Sequence, residues 1–190
     1  MSYNKKKRKI IDTQVVIYPL SVVVFYAFGT VLCSVHLPPE ELSGSFFAGM
    51  QDKGMMLDLC KGWLYHFVPF VVILLSGYDH LGKVYAFLSL GIRSYLSGYS
   101  GAAFISCGIL ERSFLGIFKF TAYTLVESMI LLILLSAAVE QERFRKYYIT
   151  LCKTPFKCGV NKKYFTHNLL RCGIMVLVYL SRCALCRFTF

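Results

Sequence analysis

The chain has 190 residues, of which 56% are hydrophobic and only 16% are charged. A soluble domain usually carries about 25% charged residues, so this composition excludes a disordered chain and does not suit an ordinary cytosolic enzyme. The formal net charge is nevertheless +11, because 21 Lys and Arg residues outnumber 10 Asp and Glu residues. The position of these positive charges along the chain decides between a nucleic-acid partner and a lipid bilayer.

Five apolar segments are predicted to cross a membrane, since about 20 apolar residues span the hydrocarbon core. They cover residues 15–35, 57–77, 84–110, 113–139 and 168–186. The first contains no charge, and no small-residue cleavage site follows it, so a retained span is predicted rather than a signal peptide. Pro19 is expected in the first turn of this span. The fifth has arginines near its ends and is also compatible with an interfacial helix. The sequence thus predicts an all-α polytopic membrane protein, with residues 1–190 as a single membrane domain.

Two segments lie outside the predicted spans. Residues 36–60 contain large apolar side chains among glycines and acids, which favours an interfacial helical loop on the outer side. Residues 140–167 form a basic loop, in which the fourth helix is expected to continue to Tyr148 and to break near Pro155.

Basic residues are concentrated in two places along the chain. Five lie between positions 5 and 9, and eight lie between Arg143 and Arg171. Five spans put both segments on the same side, and Lys and Arg in short loops favour the cytoplasm. The sequence therefore predicts a multi-pass protein of the bacterial cytoplasmic membrane with a cytoplasmic N-terminus. Beside spans, such basic runs indicate contact with an anionic lipid bilayer, and no nucleic-acid partner is expected.

Two ionisable residues within predicted spans are expected to form an intramembrane charge pair. Counted from the cytoplasmic ends, Arg93 is nine residues deep in the third span and Glu127 is twelve residues deep in the fourth. At about 1.5 Å per residue these depths differ by only about 4.5 Å. Pairing spares each residue the cost of an isolated charge in lipid, and Ser97 and Ser100 fall on the same side of the third span as Arg93. An architectural pair is favoured over a proton or substrate path, because the two charges neutralise each other.

Small residues recur at spacings of three and four on the third span, and small polar residues line one side of the fourth. Such residues let two helix backbones approach closely. We therefore predict that these two spans pack through the following helix-packing residues: Gly91, Ser94, Gly98 and Gly101 on the third, and Thr124 and Ser128 on the fourth.

The segment Gly77–Val139 resembles the stage II sporulation protein M family. The family pattern has a glycine after the second span, an Arg or Lys followed by glycine-spaced small residues, and His-Gly-x-x-Glu in the next span. This chain has RSYLSG at Arg93–Gly98 and YTLVE at Tyr123–Glu127. The arginine, the later glycine and the glutamate match, whereas the glycine directly after the arginine and the His-Gly pair are replaced.

This resemblance implies a non-catalytic integral membrane scaffold. The sporulation member of the family is a septal membrane protein needed for engulfment, and it anchors a membrane-bound peptidoglycan hydrolase and a glycan-strand lyase. The expected partners of this chain are therefore membrane or cell-wall-associated proteins as well as the lipid bilayer. A homo-oligomer is left open.

The sequence contains no recognised catalytic, metal or cofactor motif. HExxH, GxSxG, P-loop and GxGxxG patterns are absent, so no catalytic residue, metal or cofactor is expected. Cys183 and Cys186 have CxxC spacing but lie near a chain end rather than at a helix start in a soluble fold, which disfavours a redox role. Cys152, Cys158 and His167 lack the second fixed-spacing pair typical of zinc sites.

Other function classes compete with the scaffold. A small membrane transport or channel subunit would use Arg93 and Glu127 as part of its path, because buried ionisable residues often mark ion or proton routes. An intramembrane enzyme has the least support.

Overall fold

The computed structural model describes residues 2–35, 55–106, 114–151 and 158–188, with side chains described except near the ends of these ranges. The predicted all-α class is confirmed, because every regular element in the described ranges is helical. The helices correspond in order to the five predicted spans: α1 (Ser2–Val35), α2 (Met55–Leu75), α3 (Gly82–Ser106), α4 (Phe114–Leu151) and α5 (Cys158–Phe188), with a 3₁₀ turn at Ser76–Tyr78 after α2.

Several helices extend beyond the predicted spans. α1 begins at Ser2, so Pro19 lies in the helix interior and its predicted place in a first turn is wrong. α4 has 38 residues, about 57 Å at 1.5 Å per residue, which is nearly twice a hydrocarbon thickness of about 30 Å. α5 already begins at Cys158, inside the segment predicted as a basic loop. Of the predicted outer loop at 36–60, residues 36–54 lie outside the described residues, and residues 55–60 form the first part of α2.

The backbones of α1 and α3 approach each other very closely. A Cβ atom added to Gly98 would overlap the carbonyl oxygen of Tyr26, and one added to Gly29 would overlap that of Tyr95. Each helix therefore contributes a glycine where the other helix's carbonyl group passes. This is the close approach that small residues permit between packed helices.

The prediction that the small residues of the third span face the fourth is wrong for its glycines. Gly91 lies against the ring of Phe25, and Gly98 and Gly101 lie against Tyr26. Both aromatic residues belong to α1, so the glycine face of α3 contacts α1 rather than α4.

The main apolar core lies among α2, α3, α4 and α5. Tyr18 of α1 closes one edge of this cluster. Its completely buried members come from four helices: Ile73, Ala86, Leu90, Ile130, Leu134, Ala138 and Met175.

The outer surface of the helices is strongly apolar. Large aliphatic side chains that are at least half exposed occur on every helix: Val23, Val31, Leu64, Leu75, Ile92, Ile105, Leu125, Leu132, Leu169 and Leu177. Two segments, Val16–Val35 and Phe120–Lys146, are long and apolar enough to cross a membrane, and Leu64–Tyr78 is a shorter apolar segment. Only 22% of the first and 39% of the second are buried, so neither is enclosed like the core helix of a soluble domain. This distribution suggests association with a membrane.

The turn between α2 and α3 is fixed by side chains of α4 and α5. The Tyr164 hydroxyl donates to the carbonyl oxygen of Leu74 at 3.1 Å, and Arg145 Nη1 donates to that of His80 at 3.2 Å. Tyr164 also stacks on Phe144, with ring centroids 4.1 Å apart, and burial raises the pKa of its phenol. These contacts join α2 and the α2–α3 turn to α4 and α5 at one end of the bundle.

Candidate functional site

A buried ion pair lies at the centre of the helix bundle. The Arg93 guanidinium of α3 contacts the Glu127 carboxylate of α4 through Nη2 and Oε2. Arg93 is 1% exposed and Glu127 is 4% exposed. The structure thus brings together the two residues that were expected to pair from their depths in the sequence.

Arg93 makes contacts to residues of α2 as well. Nη1 donates to the hydroxyl group of Tyr65 of α2 at 3.2 Å. It also donates to the hydroxyl group of Ser97, which lies one turn further along α3. The guanidinium carbon also lies 4.3 Å from the centroid of the Tyr65 ring, a distance typical of a cation–π interaction. The buried Nε atom has no hydrogen-bond partner, so one of the donors of Arg93 is not satisfied by the described side chains.

His66 of α2 is a member of the centre that the sequence analysis did not identify. Its Nδ1 atom lies 2.9 Å from Arg93 Nη2. Because arginine only donates hydrogen bonds, Nδ1 accepts here, and the proton of the ring is placed on Nε2. The ring is completely buried and lies 5.5 Å from the ring of Tyr179, so α5 also contributes to the wall of the centre.

A row of hydroxyl groups continues from the ion pair along α3. Ser97 Oγ lies 3.2 Å from Glu127 Oε2 and 3.0 Å from the carbonyl oxygen of Arg93. One turn further on, Ser100 Oγ lies 2.7 Å from the Tyr123 hydroxyl. The polar interior therefore extends from the ion pair towards the C-terminal end of α3.

An apolar layer closes the centre in the opposite direction. One side chain from each of α2, α3, α4 and α5 lies about one helical turn from the polar residues, on the side of the α2–α3 turn. These side chains are at most 2% exposed and belong to one core cluster: Phe70, Leu90, Ile130 and Met175. The polar interior is therefore bounded by packed hydrocarbon on this side.

The other predicted packing residues occupy different environments. Ser94 is completely buried and donates to the carbonyl oxygen of Leu90 at 2.7 Å. Thr124 is partly buried and donates to that of Phe120 at 2.6 Å. Ser128 is exposed, so the prediction that it packs in a helix interface is wrong.

The residues considered for a zinc site do not come together in the described part of the chain. His167 Nδ1 lies 2.8 Å from Glu140 Oε1, and Glu140 also pairs with Arg171. Cys152 and the side chain of Cys158 lie outside the described residues. Among the described residues there is no group of three or more His, Cys, Asp or Glu side chains that could hold a metal ion.

The centre is chemically suited to holding helices together. It contains one positive and one negative charge, so it is neutral as a unit, and its hydrogen bonds join α2, α3 and α4. Removing one member of such a buried pair leaves the other charge stranded in a medium of low dielectric constant, which typically costs about 3–5 kcal/mol. The molecule is thus an all-α bundle with an apolar exterior and a neutral charged centre.

No family model matches the chain, and comparisons with curated proteins and with solved structures find no significant match. The resemblance to the stage II sporulation protein M family therefore depends on its motif residues alone and stays a prediction.

Proposed function

We propose that this chain is a multi-pass membrane protein whose five helices cross the bilayer, and that it acts as a non-catalytic scaffold. The observation that carries the proposal is an inverted distribution of polarity. Arg93 and Glu127 are buried, whereas their neighbours Ile92 and Leu125 are more than half exposed. Continuous apolar surface of this kind is rare on monomeric soluble proteins, whereas a bilayer solvates it and requires polar side chains to face protein.

The proposed topology has the N-terminus, the α2–α3 turn and the α4–α5 connection on the cytoplasmic side. The basic segments support this orientation, because Lys and Arg in short loops are retained in the cytoplasm. Tyr164 of α5 contacts the end of α2, and Arg145 of α4 contacts the α2–α3 turn. These contacts support placing the α2–α3 turn and the α4–α5 connection at the same end of the bundle.

Epitope tags inserted into the full-length chain test this topology. Tags after residues 45 and 110 are expected to be cut by protease added to intact spheroplasts, and a tag after residue 155 is expected to be cut only after the membrane is opened. Cleavage at 155 in intact spheroplasts would contradict the orientation. Release of the whole chain by alkaline carbonate would contradict membrane integration itself.

The scaffold part of the proposal is supported by the neutral, enclosed character of the centre. The Arg93–Glu127 pair has its partners within the bundle, and Leu90 and Ile130 close it on one side. The family resemblance extends the proposal to cell-wall hydrolases as partners, anchored through the outer loop and the spans.

Crosslinking in intact cells tests for such partners. A photo-crosslinker in the outer loop is expected to capture wall-associated proteins, with the same crosslinker at the exposed cytoplasmic Arg143 as the control. Recovery of a solute-binding protein or an ATPase instead would contradict the scaffold.

A small transport or channel subunit is the second candidate, and the hydroxyl row favours it. Ser97, Ser100 and Tyr123 extend the polar interior from the ion pair in one direction, as in a route for protons or ions that opens from one side. In that case Glu127→Gln should abolish transport by a well-folded protein, whereas a scaffold would keep its partners in this variant.

A further inference from the structure

A second charged cluster surrounds Glu142 at the end of the bundle that carries the α2–α3 turn. Glu142 is buried, with 2% of the residue exposed. Arg145 Nε and Nη2 each donate to it at 2.9 Å, which is the bidentate geometry of a strong arginine–carboxylate pair. Lys83 Nζ and Lys146 Nζ lie 3.6 Å and 3.7 Å from Oε1. Three cations thus surround one anion, and the cluster has a net charge of +2.

The excess positive charge of this cluster is accessible. The side chain of Lys83 is 49% exposed and that of Lys146 is 35% exposed. Lys83 is the second residue of α3, and the positive end of the helix dipole adds further positive potential there. The neighbouring acid Asp79 accepts a hydrogen bond from the backbone N–H of Leu81 at 3.3 Å, within its own turn.

Gln141 supplies an unsatisfied polar group at the same place. Its side chain is completely buried, and neither its Nε2 nor its Oε1 atom has a hydrogen-bond partner among the described residues. Nε2 lies against Gly82, the first residue of α3. Buried amide groups without partners are rare in folded proteins, so an additional oxygen atom reaching the start of α3 would satisfy a group that the described residues leave open.

The surface beside the cluster is apolar. Leu81, Val84 and Tyr85 flank Lys83 and are 57%, 50% and 40% exposed. A ligand that combines a phosphate group with hydrocarbon chains would therefore contact both the ammonium groups and this apolar surface, whereas free phosphate would contact only the first.

We propose that Lys83 and Lys146 bind the phosphate of one anionic phospholipid headgroup, with its acyl chains lying along the exposed residues of α3. This inference depends on the proposed membrane topology, in which the cluster lies at the cytoplasmic surface. Basic pockets between membrane helices on that side recognise anionic headgroups.

Lipid titration of the purified full-length chain in neutral detergent tests the site. Phosphatidylglycerol is expected to raise the unfolding temperature in a saturable manner, and phosphatidylcholine is not. Two lysines near an anionic group contribute about 1 kcal/mol each, so Lys83→Gln/Lys146→Gln should weaken the apparent affinity about 30-fold. Lys83→Arg/Lys146→Arg should keep it. The matched control is Lys162→Gln/Lys163→Gln, which removes two exposed lysines at the start of α5 and should change the affinity less than threefold.

Three results would overturn the proposal. The first is an affinity within threefold of wild type in the double glutamine variant, and the second is an equal loss in the Lys162/Lys163 control. The third is the same stabilisation by inorganic phosphate at equal concentration, which would make the ligand a free anion. If the double variant fails to fold, Lys83→Gln alone is measured and should weaken the affinity about fivefold. Alkaline extraction of the same variants tests membrane integration separately, so failure of the lipid site is distinguishable from failure of the topology.

Discussion

Removing the charges of Arg93 and Glu127 should show whether the two residues stabilise the fold as a pair or as independent polar residues. The changes are Arg93→Leu, Glu127→Leu and the double substitution. Arg93→Leu leaves a carboxylate among α2, α3 and α4, and Glu127→Leu leaves a guanidinium that cannot lose its proton. The double variant leaves no charge at this level of the bundle.

The expected magnitudes follow from what each variant leaves behind. A buried charge that loses its partner typically costs about 3–5 kcal/mol, so Arg93→Leu should lower the free energy of unfolding by about that amount. Glu127→Leu should cost at least as much. In the double variant the Tyr65 hydroxyl, His66 Nδ1 and the Ser97 hydroxyl each lose a hydrogen bond to the ion pair, at about 1 kcal/mol each. We therefore expect a loss of about 1–3 kcal/mol, against about 6–10 kcal/mol if the two single effects were additive.

Unfolding of the purified full-length chain in detergent, followed by helical circular dichroism, measures these differences. Ser128→Ala is the matched control on α4, since Ser128 is exposed and donates only to the carbonyl oxygen of Leu125 in its own helix; it should change stability by less than about 0.5 kcal/mol. A double variant that loses the full sum of the two single effects would refute the reasoning.

Three further predictions concern packing and hydrogen bonding. Gly98→Ala should lower stability by about 1–3 kcal/mol because its methyl group would overlap the Tyr26 carbonyl. Gly173→Ala is the control, since no described atom beyond its chain neighbours and its own helix backbone lies within 4 Å of the new Cβ, and it should be neutral or stabilise by up to about 1 kcal/mol. Equal losses in thermal unfolding would contradict the close α1–α3 contact. His66→Leu should lower the free energy of unfolding by about 1–3 kcal/mol. His66→Asn should lower it less, because the asparagine oxygen can accept a hydrogen bond from the Arg93 guanidinium. The opposite order would show that the size of the ring matters and its acceptor nitrogen does not. Tyr164→Phe should cost about 1 kcal/mol at neutral pH, because a buried hydrogen bond is lost. It should also remove part of the stability loss above pH 10, since the raised pKa keeps the Tyr164 phenol protonated in the folded chain while the unfolded chain ionises. An unchanged dependence of stability on alkaline pH would contradict this role.

The charge pair could be predicted from the sequence because depth is a strong constraint in a helical hairpin. Arg93 and Glu127 are rare residue types in apolar segments, and consecutive antiparallel helices leave few ways to bury both. The difference in depth of about 4.5 Å between Arg93 and Glu127 is within the combined reach of the two side chains. The geometry of the hairpin alone therefore identifies Glu127 as the partner of Arg93, whatever the positions of the other helices.

The partner of the glycine face could not be predicted in the same way. A small-residue spacing shows that some helix approaches closely, but it does not say which one. Angular position would have separated the two faces of α3, since Gly91 and Gly98 lie roughly 140–160° around the helix from Arg93 at 100° per residue. One neighbouring helix cannot contact both faces closely. The face of Arg93 is used by α4, which leaves the glycine face for a helix that is distant in sequence, namely α1.

His66 shows that depth carries information about uncharged polar residues too. It lies eleven residues before Gly77, and Arg93 lies nine residues after Val84, so the two depths differ by only about 3 Å in antiparallel helices. The comparison that selected Glu127 would therefore have selected His66 as well. His66 belongs to no metal or catalytic spacing, so the search for such motifs does not single it out. The relevant signal was a hydrogen-bond acceptor at the level of a buried arginine, which has five donors to satisfy and accepts none in return.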